Sequence, residues 1–413
     1  MKKVTKLFFF VFVFILALGG CSKEDKPKEK TITFMIPDWG VPTDKMLEEF
    51  QKEKGIKVNV ETVSWDDIRN KVSVAATGKK APADVMEVDW SWVGEFKSAG
   101  WLAPITLSEE TVKDIPTLET FTVNNEILAV PYANDFRIAY YNKDIYNKAG
   151  LKAPITWEEV GNNMKSIKEQ GILKYPYTLP LNATEGTTTA LIWMTFMRDG
   201  KVFNENGSLN KENVMKSLNF INEMVKEGVI NPANLNMKDI DTYREILSGE
   251  AAYMVGPTSF IARANDSNQS KVLGQIEAVL PPGENSTAKV TMALPEAIGV
   301  SAYSENKEAA TEFVKWYTSP KIQEELYNKL STMPTRMSVL NKLINSGEIA
   351  NSGALLETAK RVKSPFPMGV PDYYSEMSRT ISNSINKMAS GAISPEMAFE
   401  EMNSKINELI ENK

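Results

Sequence analysis

No histidine occurs in the 413-residue chain, and cysteine occurs once. Without an imidazole there is no Ser-His-Asp or Cys-His arrangement, no His-ligated zinc and no histidine general base. A single thiol closes no disulfide within the chain. Glycines never fall in G-x-G-x-x-G or G-x-x-x-x-G-K spacing, so neither a dinucleotide fingerprint nor a phosphate loop is present. Dense basic runs are missing from the globular part, and 47 Lys and Arg face 53 Asp and Glu, a formal charge of −6. Such a surface is poor for nucleic acid. Any chemistry would have to run on carboxylates, Lys, Tyr or Ser, and no cofactor or metal is expected. A repeat of solenoid period is also missing, and the length suits two or three globular units.

What the chain does have begins at its first residues. Lys2, Lys3 and Lys6 form a positive head, residues 7–18 are uninterrupted apolar, and Leu18-Gly19-Gly20-Cys21 closes the stretch. This is the order of a secretory signal peptide, over 1–20, and the apolar run is too short to persist as a spanning helix. Leu-Gly-Gly-Cys resembles the bacterial lipobox, whose cysteine receives a diacylglyceryl group and whose freed amine is then acylated, typically with palmitate. Several acyl chains exceed what stable anchoring requires. A buried free cysteine is the plainer alternative, but position, glycines and charge order agree on lipidation at Cys21. Residues 22–30 carry no apolar side chain and read as a solvated tether. The mature chain is therefore expected at the extracellular face of the cell membrane. Cleavage before Cys21 removes three lysines and no acids, moving the formal charge from −6 to −9.

Beyond the tether, strand and helix patterns alternate. The spacing predicts a strand over 31–36 ending at Pro37, a helix over 43–53, a strand over 56–63, a helix over 65–77 and a strand over 83–88. Thr156-Trp157-Glu158-Glu159 fits a capping box before a helix to about residue 170. Strands are predicted over 136–141, 175–181, 251–255 and 298–300, long helices over 211–227 and around 243–247, and a nearly all-helical stretch from Asn306 onward. Strands separated by helices of this length favour an α/β fold with a mostly parallel sheet covered on both faces.

Several fragments carry a family likeness across nearly the whole mature chain. They are Ala81-Pro82-Ala83-Asp84-Val85 with Ala99-Gly100-Trp101-Leu102-Ala103-Pro104-Ile105; Val130-Pro131-Tyr132 with Tyr141-Asn142-Lys143-Asp144 and Ala149-Gly150-Leu151; Pro154-Ile155-Thr156-Trp157-Glu158-Glu159; Ala297-Ile298-Gly299-Val300; and Met333-Pro334-Thr335-Arg336. In this order, behind a lipobox, the set resembles extracellular solute-binding family 1, the maltose-binding-protein-like receptors of ABC importers. Ala83 adds a residue within the expected Pro-Asp pair, which leaves that turn uncertain. The resemblance implies a two-lobe periplasmic-binding-protein-like fold with a ligand cleft between lobes joined by three hinge crossings. Mapped here, the N-terminal lobe would comprise 31–135 plus 291–335, and the C-terminal lobe 138–288 plus 338–413. It also implies a monomeric receptor that delivers its solute to ABC permease subunits driven by a separate ATPase.

A carbohydrate offers C–H faces that lie on aromatic rings and hydroxyls that need paired donors and acceptors. Ligands of open α/β lobes sit beyond the carboxyl ends of strands. Trp39, Trp65, Asp89 and Trp90 follow predicted strands and are candidate ligand contacts. Asp135 and Arg137 fall where the chain would cross between lobes and are read as hydroxyl ligands or a hinge pair. Glu185 and Trp193 follow the predicted 175–181 strand, Thr258 and Ser259 follow Gly256-Pro257, and Tyr373 and Tyr374 stand where the family supplies an aromatic platform. The structural alternatives are capping for the carboxylates and packing for the rings. A non-sugar solute such as a polyamine would suit acids beside aromatics. A lipid-anchored glycoside hydrolase would need two carboxylates at a fixed separation, which no pattern here specifies.

Overall fold

The computed structural model describes residues 30–412, so the expected signal segment, Cys21 and most of the expected tether lie outside it. Eleven strands occur among the described residues: β1 (Lys30–Ile36), β2 (Ile56–Thr62), β3 (Val85–Asp89), β4 (Leu102–Ala103), β5 (Thr122–Val123), β6 (Glu126–Ile127), β7 (Ala129–Ala133), β8 (Arg137–Asn142), β9 (Tyr253–Pro257), β10 (Ile276–Val279) and β11 (Glu296–Ser301). The first sheet has the order β2-β1-β3-β11-β4, with β7 also pairing β11, and a smaller sheet has the order β10-β8-β9. β5 and β6 form a separate ribbon.

Local chemistry explains the first βαβ unit. Thr43 caps the helix Asp44–Lys54 by accepting from the Met46 amide, and Gly55, at φ +65°, ends it in the left-handed region before β2 begins. Ile32 and Phe34 of β1 face the helices Asp44–Lys54 and Lys307–Tyr317, while Met35 faces the helix Trp65–Thr77 through Ile68 and Val72. Both faces of this sheet are therefore helix-covered.

Two expectations fail. Only β1 with β2 and β1 with β3 run parallel, whereas β11 is antiparallel to β3, β4 and β7 and the smaller sheet is wholly antiparallel. The reason is chain order: β11 arrives from the second lobe rather than through a right-handed crossover. The predicted strand over 175–181 does not form. Tyr177 makes only isolated bridges to Ile230 and Tyr253, and the segment serves as a buried connection into the helix Glu185–Asp199.

Three connections pass between the sheets side by side. The first joins β7 to β8, the second leads into β11, and the third follows the helix Pro320–Leu330. They are tied by backbone bonds, Asn134 N to Met333 O at 2.8 Å and Leu294 N to Asp135 O at 2.5 Å, and by the Thr335 hydroxyl donating to Pro131 O at 2.8 Å. Beyond them, the second lobe packs the helices Trp157–Glu169, Glu185–Asp199, Lys211–Lys226, Tyr374–Ala389 and Pro395–Glu411 around one apolar core.

Candidate ligand cleft

The first-lobe wall is made where strands stop. Pro37 ends β1 and a short turn carries Trp39, whose ring is 38% exposed. Its indole Nε1 donates to Glu296 Oε2 at 2.6 Å, and the Tyr132 hydroxyl donates to the same oxygen at 2.9 Å. Gly40 is required there, since a Cβ would lie 2.7 Å from Ile36 and 2.9 Å from the Tyr132 hydroxyl. β3 ends at Asp89, whose Oδ1 accepts from the Ser91 amide at 2.9 Å and its hydroxyl at 2.5 Å. That Asx turn sets out Trp90 and Trp92 on either side. Trp92 lies 4.8 Å from Trp65 between ring centroids, and Trp90 lies 5.0 Å from Tyr374 and 5.9 Å from Phe366 of the second lobe.

The second-lobe wall is made where helices start. Glu185 opens the helix Glu185–Asp199, and Asp239 holds that end by accepting from Gly186 N at 2.9 Å and the Thr184 hydroxyl at 2.7 Å. Glu185 accepts from the Tyr374 hydroxyl at 2.5 Å and from the Ser378 hydroxyl. Between the walls is a cavity of about 260 Å³, lined by Trp65, Arg69, Ser91 and Trp92 on one side and Thr184, Glu185, Tyr374, Ser378 and Arg379 on the other. Arg69 is committed to Glu95 through two bonds of 2.7 and 2.8 Å. A larger groove, along Glu61–Ser64 and the outer side of the helix Trp65–Thr77, belongs to the first lobe alone.

Carboxylates dominate the electrostatics. Burial pushes Asp89 up to about 6, against the bonds from Ser91 and Trp65 that favour its ionised form. Burial also raises Glu296 to about 7 and Glu185 to about 8, with the neighbouring Asp89 adding to both. Glu87, fully buried on β3, is held well above the usual range by burial and then by Glu296 and Asp89. Asp135 is raised by burial despite Arg137, whose Nη1 lies 2.7 Å from its Oδ2.

Thus Trp65, Glu185 and Tyr374 line the cavity itself, and Asp89 and Trp90 stand beside it on the loop that carries Ser91 and Trp92. Trp39 stands on the same wall at the bonded edge of Glu296. The other candidates are placed elsewhere. Trp193 is fully buried in the second-lobe core, stacked on Trp157 at 6.0 Å, because its helix is buried nearly all round, from Gly186 to Met197. Thr258 is buried and serves the hinge, its amide donating to Asp135 at 3.3 Å and its hydroxyl to Asn134 O at 2.8 Å. Asp135 and Arg137 bind each other in that same hinge. Ser259 begins the short helix Phe260–Arg263, and Tyr373 directs its hydroxyl toward Gly207 on the second lobe. Sequence reasoning missed Glu296, Glu87, Ser378 and Phe366. A signal existed for two of them: a Glu interrupting the apolar run Val85–Val88 and another two residues ahead of the predicted 298–300 strand are positions where burial needs a reason.

The profile of bacterial extracellular solute-binding proteins matches residues 36–324. A probable amino-acid ABC transporter periplasmic-binding protein of Sinorhizobium fredii is 24% identical over 71% of this chain and 69% of its own. Among solved structures, maltose-bound MalE3 of T. maritima superposes with a TM-score of 0.80 at 22% identity, covering 92% of this chain and 99% of the other. A solute-binding protein of Agrobacterium radiobacter in complex with ribitol gives 0.83 at 19% identity, over 92% and 98%. These likenesses show the two-lobe solute-binding fold.

Proposed function

Since the chain belongs to the bacterial extracellular solute-binding protein family, we propose that it is the receptor of an ABC importer for a mono- or oligosaccharide. The observation that carries this reading is the cavity between the walls, where the Trp65–Trp92 pair offers ring faces and Ser91, Thr184, Glu185 and Ser378 offer hydroxyl partners. The relatives bound to maltose and ribitol support it. At about 260 Å³ the cavity is smaller than the ~300–1,000 Å³ usual for small-molecule sites, which favours a short saccharide.

The lobes we infer are residues 31–135 with 291–335 and residues 138–288 with 338–413. A solute touching both walls draws them together, because only differential affinity shifts a hinge equilibrium. The loaded, monomeric receptor is then offered to the permease subunits. Capture without conversion is consistent with the family. Cys21 holds the mature chain at the outer membrane surface through its acyl chains and the tether.

Calorimetric titration of the mature chain with a panel of mono- and disaccharides tests the ligand class, with micromolar or tighter binding of at least one sugar expected and silence across the panel refuting it. Incorporation of labelled palmitate that is lost in Cys21→Ser tests the anchor separately.

A further inference from the structure

One positive charge on the cavity has no counterpart in the protein. Of the eight arginines in the chain, seven are engaged, in ion pairs with Asp or Glu, in a hydrogen bond to a backbone carbonyl, or over an aromatic ring. Among the described residues Arg379 is the exception, its guanidinium having no ion pair, hydrogen bond or ring partner. Ser375, Ser378, Arg379 and Ser382 recur at helical spacing on the helix Tyr374–Ala389 and all line the cavity, so this guanidinium starts from the wall that faces the solute. The one acid of that helix, Glu376, is held by Lys405. Acids at the cavity do not answer the charge either. Glu185 accepts from Tyr374 and Ser378, and burial pushes it up to about 8, so near neutral pH it is mostly protonated. Asp89, beside the cavity, is held by Ser91, and Glu95 by Arg69.

Trp92 provides a second, independent observation. It lines the cavity and is only 4% exposed, yet its indole N–H donates to no described residue. The neighbouring Trp65 serves Asp89, and Trp39 serves Glu296. Nor is the Trp92 N–H sealed in the core as those of Trp157 and Trp193 are. A donor on so buried a ring is normally bonded, and here the open side is the cavity.

The remaining polar groups sort by what they can still do. Ser91, Thr184 and Ser378 donate their hydroxyl protons to Asp89, Asp239 and Glu185, which leaves them lone pairs for the hydroxyls of a sugar. A guanidinium and an indole N–H donate and never accept, so the group that suits them accepts only. A hydroxyl brings a proton of its own. A carboxylate brings none, carries one negative charge, and meets a guanidinium through two parallel bonds. A phosphate dianion would bring a second charge, and no second unpaired cation lines the cavity. We propose that the solute captured here is a sugar acid, a short saccharide whose carboxylate pairs with Arg379 while one of its oxygens takes the Trp92 N–H. Trp92 stands on the first wall and Arg379 on the second, so such a solute gains from both only when they are together. This rests on the carbohydrate reading for the sugar, and on Arg379 and Trp92 for the acid.

The test titrates the full mature chain, near neutral pH, with hexoses in matched forms that carry hydroxymethyl, carboxylate, carboxamide or phosphorylated hydroxymethyl at the last carbon, and with succinate. The carboxylate form is expected to bind at least about tenfold tighter than the hydroxymethyl and carboxamide forms, roughly 1.4 kcal/mol, and Arg379→Gln to abolish that preference. Arg379 is exposed, so the melting temperature of the variant should stay at the parent value, and it is read alongside to keep a folding defect from passing as a lost site. A hydroxymethyl or carboxamide form bound as tightly as its carboxylate overturns the inference and leaves the carbohydrate reading standing. A phosphorylated form bound more tightly than the carboxylate, or a preference unchanged in the folded variant, also overturns it. Succinate bound while no sugar is, with that binding lost in Arg379→Gln, keeps the carboxylate and removes the carbohydrate. Silence in every arm overturns both.

Discussion

In the first-lobe wall the polar groups stand at the ends of strands, whereas in the second-lobe wall they stand at the starts of helices. The consequences differ. Strand ends place Asp89 and Glu296 opposite one another with no freedom to separate, since β3 and β11 are bonded along their length. Helix starts let Glu185 be served by hydroxyls on a neighbouring helix, Tyr374 and Ser378. Both walls bond their carboxylates locally, Asp89 through Ser91 and Glu296 through Trp39 and Tyr132, but only the first wall sets two of them face to face across a strand pair. The walls meet through Trp90 against Phe366 and Tyr374, and through Gly94, where a Cβ would lie 2.7 Å from Val370 O.

The largest effect separates wall from core. Trp193→Ala removes a fully buried ring behind the second wall and should lower stability by about 3–5 kcal/mol, measured by denaturant unfolding; a loss under 1 kcal/mol would mean that the ring is not core.

Next comes pH. Asp89, Glu296 and Glu185 keep their protons in the folded chain where the unfolded chain has released them. Their contribution is complete below the unfolded values of about 4 and is lost as pH rises through about 6 and 7 for the first wall and about 8 for the second. The melting temperature without added solute should fall by several degrees between mildly acid and mildly alkaline pH. Glu185→Gln should make that fall shallower throughout and remove its portion between about 7 and 8 altogether. A flat profile contradicts the crowding of the first wall.

Gly94→Ala should hold the walls apart at the Val370 carbonyl, an overpacking of about 1–3 kcal/mol. Solute affinity should drop about 5- to 150-fold, and small-angle scattering should show a larger radius in the presence of solute. Unchanged affinity would show that the contact at Gly94 is not part of the bound form. Trp39→Ala has the smallest expected effect on the fold, because its ring is already 38% exposed. It should weaken binding by about 1–2 kcal/mol with the melting temperature nearly kept, the reverse of Trp193→Ala.

Much of the architecture was legible in the sequence. Caps and breakers wrote the first unit, with Thr43, Gly55 and Pro37 marking element ends where the structure has them. The helices Trp157–Glu169 and Lys211–Lys226 follow their apolar spacing. Strand direction was not legible, because a strand's pattern says which face is buried and nothing about where its neighbour came from. The predicted 175–181 strand failed for a related reason: its apolar residues are buried by helices, with no continuous partner to pair along.

The site divides in the same way. Local order alone carried the family likeness, the expectation of a signal segment ending before Cys21, and the placing of Trp39, Asp89 and Trp90 just beyond strands, since each depends on neighbours along the chain. Only the tertiary structure decided that Trp193 is core while Trp65 faces the cavity, and that Thr258 ties the hinge. The pairing of Asp89 with Glu296 was likewise decided there, because burial and electrostatic crowding depend on which distant segments fold against each other.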